Sequence, residues 1–442
     1  MKTGFYLCSI LIAGVARTVF GQVAADATNT VALTPPFIDS LAEEARTNHP
    51  ALRAADARSD AAVWNAAGVR AWEDPTAKFG VMGADRSKRA DDGDLLYGIE
   101  QKLPLFGKPQ AVRAVAQAEA MTQRHSAAFR ALELRSSLTK QLVKVALAER
   151  TLELGRVDLA SLDTLVTTTE DKYRNGLATQ VEVLQSQNER ARRANLLRTD
   201  EALINADRAS LNRFLNRDIT ASWPRLLLPP LVSSLPPTEL MIEHATTMAP
   251  QLDIMRASLR QAESVERLAR KQRLPDVSLG VEGRQFADNG EFREGTVLLG
   301  LSLPWGNRSR YAADIKREQR KAEAAQLDIA DMQLTLRDEV TRHAIQIENA
   351  EREVMLYRND IIPRTEQALS GAHVNWLNNR GTLRDVLEAR RMLLDAQMME
   401  ARALADQHTM LADLLLHCGL GDLRELAMKY PAPTPVPSRR SP

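Results

Sequence analysis

Cysteine is almost absent from these 442 residues: Cys8 and Cys418 are the only two. Aromatic side chains make up 5% of the chain, too few for a set of compact aromatic cores. Charge of one sign is lacking as well. The formal net charge is +1, which leaves no global attraction to nucleic acid. After the first residues no stretch offers the ~18 apolar positions a spanning helix needs. There is no Gly-rich phosphate loop, no nucleophile elbow and no His or Cys pair at ligand spacing, so the common enzyme classes have no foothold. No cofactor and no bound metal is expected.

The opening residues carry an export pattern. Lys2 precedes the apolar run FYLCSILIAGVA at 5–16, and small residues follow, so a signal peptide over 1–25 is expected, cleaved after Gly21 or Ala25. Removing it takes Cys8 away and leaves Cys418 alone among leucines, a packed thiol rather than a disulfide partner. Without a spanning helix, the mature chain is periplasmic, secreted, or a membrane protein of the β kind.

The chain repeats itself. At an offset of 200, Pro50 matches Pro250, Leu52 matches Leu252, Pro75 matches Pro275, Gly80-Val81 matches Gly280-Val281, and Leu103-Pro104 matches Leu303-Pro304. Two structural repeats are expected, 37–223 and 238–420, with a Pro-rich linker at 224–237 and a disordered tail within 421–442. Each repeat opens with a helix, 37–72 or 238–273. A pair of alternating strands follows, near 76–84 and 95–103 in the first half and near 277–286 and 296–303 in the second. Long proline-poor runs come next, 110–172 and 309–375, the second kinked at Pro363. Leu138, Val145, Leu152, Leu159 and Val166 recur every seven residues, a coiled-coil seam. Gly176 and Gly381 read as the turns from which return helices run to about 216 and 418.

Four strands with one apolar face do not close a barrel, so several copies must join to set apolar side chains toward lipid and polar ones toward water. The class expected is mainly α with a membrane β-barrel, in an oligomeric conduit. A periplasmic coiled-coil scaffold explains the heptads but not the alternating hairpins.

The strand exits LPLFGK and LPWGNR, the tips YRNGLATQVEVL and NNRGTLRDVLEA, and the duplicated order over about 37–420 resemble the TolC-like outer-membrane efflux proteins. That resemblance implies a homotrimer with a twelve-stranded barrel in outer-membrane lipid and a periplasmic α-helical tunnel. It also implies two partners, a periplasmic adaptor and an inner-membrane RND pump. The wording at 103–120 and 356–369 is most similar to the CzcC-like heavy-metal branch, which implies metal cations as cargo. Drug efflux and type I protein secretion are the alternatives. By the same resemblance Gly176, Leu177, Gly381 and Thr382 contact the adaptor, and Glu182, Arg384, Asp385 and Glu388 line the periplasmic entrance, with Arg384 pairing with an acidic neighbour.

Overall fold

The computed structural model describes residues 30–82, 94–286, 290–423 and Glu425. The signal expected at 1–25 and the tail from 426 lie outside the described residues.

Each half runs helix pair, β-hairpin, long helix, return helix. The first contains α1 (Pro35–Asn48), α2 (Pro50–Gly68), β2 (Thr76–Met82), β3 (Asp94–Leu103), α3 (Lys108–Arg174) and α4 (Gln180–Leu215). The second contains α5 (Thr238–Met248), α6 (Pro250–Gln272), β5 (Val277–Phe286), β6 (Phe292–Leu301), α7 (Arg308–Leu356), α8 (Ile362–Leu377) and α9 (Leu383–Cys418). Two short strands, β1 (Thr30–Ala32) and β4 (Arg225–Leu227), pair in parallel, so the Pro-rich linker is stitched to the start of the described chain.

Where one opening helix was expected in each half, there are two. The residue before a proline is pushed out of the helical region, and His49 and Ala249 are both extended, with ψ 122° and 132°. His49 Nδ1 then caps α2 by accepting from the Ala51 N–H at 3.2 Å. The kink expected at Pro363 takes the form of a π-helical turn over Tyr357–Ile361. Such a turn absorbs the carbonyl clash and missing donor of proline without ending the helix.

The 67-residue α3 is about 100 Å long. Toward its start it packs against α2 and α6; toward its end it packs against α4 and α9. The seven-residue seam serves only part of this length. Leu138, Val145 and Leu152 are buried, whereas Leu159 and Val166 are half-buried. A second series, Gly155, Asp158, Leu162, Leu165, Thr169 and Lys172, is buried instead. The reason is a change of partner. Leu152 and Leu159 pack with Leu197 and Ile204 of α4, while Leu162 and Leu165 pack with Trp376, Leu383 and Val386 of the second arm.

The strands form one antiparallel sheet in the order β2-β3-β5-β6. Cross-strand register aligns Ala77, Ile99, Val281 and Val297 in one row. Phe79, Val81, Val297 and Leu299 on that face are 72–84% exposed. The other face carries cross-strand ion pairs: Lys78 to Glu100 at 2.5 Å, Arg284 to Glu294 at 2.5 Å and Arg293 to Asp94 at 2.9 Å. β6 spans 292–301 rather than 296–303, because pairing with β5 extends back past a bulge at Arg284/Gln285 and ends where Pro304 opens a 3-10 turn. Among the described residues, β2 and β6 each keep one unpaired edge.

Cys418 is 3% exposed in a core with Met241, Val340 and Leu414. Burial pushes its thiol from 9.0 up to about 12. Because the thiolate is the nucleophile, alkylation at pH 8 should run about a thousandfold slower in the folded protein than in denaturant. Rapid labelling of the native protein would show that this core opens.

Candidate functional site

The far ends of the two arms come together through their turns. α3 ends in a Schellman turn. Leu177 N–H donates to Lys172 O at 2.8 Å, Gly176 N–H donates to Tyr173 O at 2.9 Å, and Gly176 has φ +72°. α8 ends in the same way, but its left-handed residue is Asn379, with φ +57°. There Arg380 N–H donates to Asn375 O at 2.8 Å and Asn379 N–H to Trp376 O at 3.2 Å.

Gly381 is therefore not the left-handed residue its sequence position suggests. A Cβ there would lie 3.2 Å from Asn375 Cβ, so this glycine lets the turn pass close to the end of α8. Structurally, Gly176 and Leu177 correspond to Asn379 and Arg380, and Thr179 corresponds to Thr382. Counted from the left-handed residue of each turn, Val183-Leu184 and Val386-Leu387 begin at the same spacing.

Both return helices start with capping boxes. Thr179 Oγ1 accepts from Glu182 N–H at 3.3 Å, and Glu182 accepts from Thr179 N–H at 2.7 Å. Thr382 and Asp385 do the same at 3.3 and 3.0 Å. Two of the expected entrance carboxylates thus bond to their own helix starts. The Thr382 backbone bond, then its hydroxyl, holds Asp385 below the ordinary 3.8. A carboxyl depressed on folding stabilises at any pH above its ordinary value, and that contribution is lost as pH falls through the folded value. Protection of the α9 start, taken as its exchange rate relative to the intrinsic rate at each pH, should thus be constant above about pH 4 and fall below it. Thr382→Ala should speed exchange at 383–385 about fivefold at pH 7; an unchanged rate would remove the cap from the account of this turn.

Arg384 and Glu388 are exposed on α9. The pairing expected of Arg384 is missing: it forms no ion pair among the described residues and reaches Asp385 only as a through-space charge. With Glu388, Glu189, Arg192 and Arg391 it lines a charged groove between α4 and α9. Glu189 and Arg391 bridge that groove. Leu177 is 57% exposed at the apex of the first turn.

Three buried cations hold the ends of the arms together, and none was visible in the sequence pattern. Lys172 Nζ donates to Trp376 O at 2.5 Å and lies 4.7 Å from the centre of the Trp376 ring. It caps the C-terminal carbonyls of α8, where a cation is favoured. Higher up, Asp158 of α3 pairs with Arg390 of α9 and lies 3.2 Å from Arg193 Nε of α4. All three residues are no more than 8% exposed. Gly155 makes room for this, because a Cβ there would meet Arg193 Nη2 at 2.5 Å. The signal available was Gly155 itself, a glycine in the middle of a long helix one turn before an aspartate.

The family model described as "Outer membrane efflux protein" matches residues 41–217 and 241–420. Among solved structures, the outer membrane protein VceC from Vibrio cholerae aligns with TM-score 0.72 at 19% identity, covering 87% of this chain and 96% of that one. The MtrE outer membrane channel of Neisseria gonorrhoeae, solved in an open state, aligns with TM-score 0.71 at 17% identity, covering 87% and 89%. CusC, whose structures concern transmembrane channel formation, aligns with TM-score 0.74 at 13% identity, covering 87% and 92%. At such identities the likeness is one of fold. No curated protein sequence matches the chain.

Proposed function

Because the chain belongs to the outer membrane efflux protein family, we propose that it forms the exit duct of a tripartite pump, as a homotrimer joined by a periplasmic adaptor to an inner-membrane RND transporter. The family places it in the outer membrane as an efflux channel with a large periplasmic helical part.

One observation carries the trimer. The four-stranded sheet exposes an entire apolar face and keeps two free edges. Unpaired edges and bare apolar faces are liabilities that a closed barrel in lipid removes. Three copies supply twelve strands, above the roughly eight a small barrel needs. The charged pairs on the other face then line the water-filled lumen.

The adaptor meets the turns at Gly176 and Leu177, and at Gly381 and Thr382 together with Asn379 and Arg380, which their geometry adds. Glu182, Asp385 and Glu388 surround the entrance. Glu388 is the carboxylate with no capping bond, so threefold symmetry makes it a ring that draws cations.

For cargo we favour heavy-metal cations, on the resemblance at 103–120 and 356–369; drug efflux is the second reading. Growth of a clean deletion strain across cobalt, zinc, cadmium, nickel, copper, silver and unrelated drugs tests the choice. Selective metal sensitivity, reversed by the intact gene, is expected. Sensitivity to drugs alone overturns the cargo and leaves the duct standing.

A further inference from the structure

The π-helical turn at Tyr357–Ile361 borders a cavity of about 250 Å³. Such turns are rare inside helices and recur at functional sites. Four segments far apart in sequence meet at this one: α3, the linker strand β4, the π-helical turn and α9. Leu226 and Leu228 of the linker and Leu404 of α9 give the cavity apolar walls. Arg150 of α3, Arg225 of β4 and Arg358 of the turn bring three guanidinium groups to it, against the two carboxylates of Glu153 and Glu400. Its lining therefore carries an excess of positive charge.

The way these charges pair leaves donors over. Arg150 Nη1 and Arg225 Nη2 both reach Glu153 Oε2, at 2.9 and 2.6 Å, so two guanidinium groups share one oxygen. Arg358 reaches Glu400 Oε1 through Nε at 2.7 Å. These contacts use one nitrogen of each group, where a guanidinium fork carries five N–H donors. The three arginine side chains are 41–46% exposed, and ion pairs so open to water contribute little stability. An incoming anion therefore meets weak competition. An oxyanion takes two parallel N–H bonds from a single arginine, which is why this residue type recurs wherever phosphate or carboxylate is recognised. The apolar walls leave room beside it for a short hydrocarbon portion.

We propose that this cavity binds a small organic oxyanion, its phosphate or carboxylate head held by Arg150, Arg225 and Arg358 and its apolar part laid on Leu226, Leu228 and Leu404. Bridging Arg225 and Arg358, the bound anion ties the linker to the bend in the second arm. The inference depends neither on the cargo of the duct nor on the number of copies that form it.

Calorimetric titration of the purified full-length protein in detergent, at constant ionic strength, tests it. The probes are phenyl phosphate, benzoate and the neutral benzamide, which share one ring and differ in the head group. Saturable binding of at least one anion is expected, and the tighter of the two identifies the head group. No binding of either anion overturns the proposal. Equal binding of benzamide overturns it too, because the site then reads only the ring. Arg225→Met with Arg358→Met should weaken the anion about tenfold or more, at an unchanged melting temperature in its absence. Glu400→Gln, which removes a competing carboxylate, should tighten it about threefold. If the arginines only brace the turn, Glu400→Gln leaves anion binding as it was, and that result also overturns the site.

Discussion

Replacing Asp158 with alanine should loosen the lower half of the helical arms, raising amide exchange across 155–172 and 383–395 about a hundredfold or more. In the native protein one carboxylate sits between the guanidinium groups of Arg193 and Arg390, all three buried. The cluster carries a net positive charge, and deleting its one anion leaves two cations facing each other away from water. Breaking a buried ion pair by removing one partner costs about 3–5 kcal/mol, and each 1.4 kcal/mol is a factor of ten in an opening equilibrium. Simultaneous Asp158→Leu, Arg193→Leu and Arg390→Met should recover much of the loss, since apolar side chains of similar volume often replace buried ions at little cost. If the single variant exchanges at the wild-type rate, the cluster does not hold α4 and α9 to α3.

Leu177→Glu should have the opposite profile, with normal stability and no function. Its side chain is largely exposed at the apex of the first turn, and its role in the turn is a backbone N–H bond to Lys172 that glutamate retains. Surface substitutions of this kind change stability by about ±0.5 kcal/mol. If the adaptor seats its apolar tip here, a buried unpaired carboxylate costs the contact several kcal/mol, and resistance should fall to the level of the deletion strain. Protein level, outer-membrane fractionation and oligomer mobility should be unchanged. Full efflux with Leu177→Glu would move the adaptor contact elsewhere, to the Asn379–Thr382 turn or to the charged groove between α4 and α9. Gly176 makes a poorer probe, because any side chain at its φ of +72° adds strain to the turn itself.

Duplication, hairpins and long helices were all legible in the residues, because each rests on local physics. Alternation over 277–286 marks a half-buried strand whatever it packs against. Pro50 and Pro250 recur in register, and each breaks its opening helix in two. The spacing Thr-x-x-Glu at 179–182 and Thr-x-x-Asp at 382–385 is equally local, and it accounts for the capping bonds that Glu182 and Asp385 make.

Tertiary structure decided what depends on partners distant in sequence. The buried face of α3 moves from the Leu152 series to the Asp158 series because a second arm, some 200 residues away, arrives on its other side. No heptad count within α3 contains that information. The second turn is left-handed at Asn379 rather than Gly381, beside Trp376, which packs against Leu162 and Leu165 of α3. Lys172 and Arg390 look like solvated charges on polar helices, and only assembly removes them from water. The sequence by itself set the elements and their order. The burial of charge, which costs too much to occur without a partner in place, was settled when the two arms met.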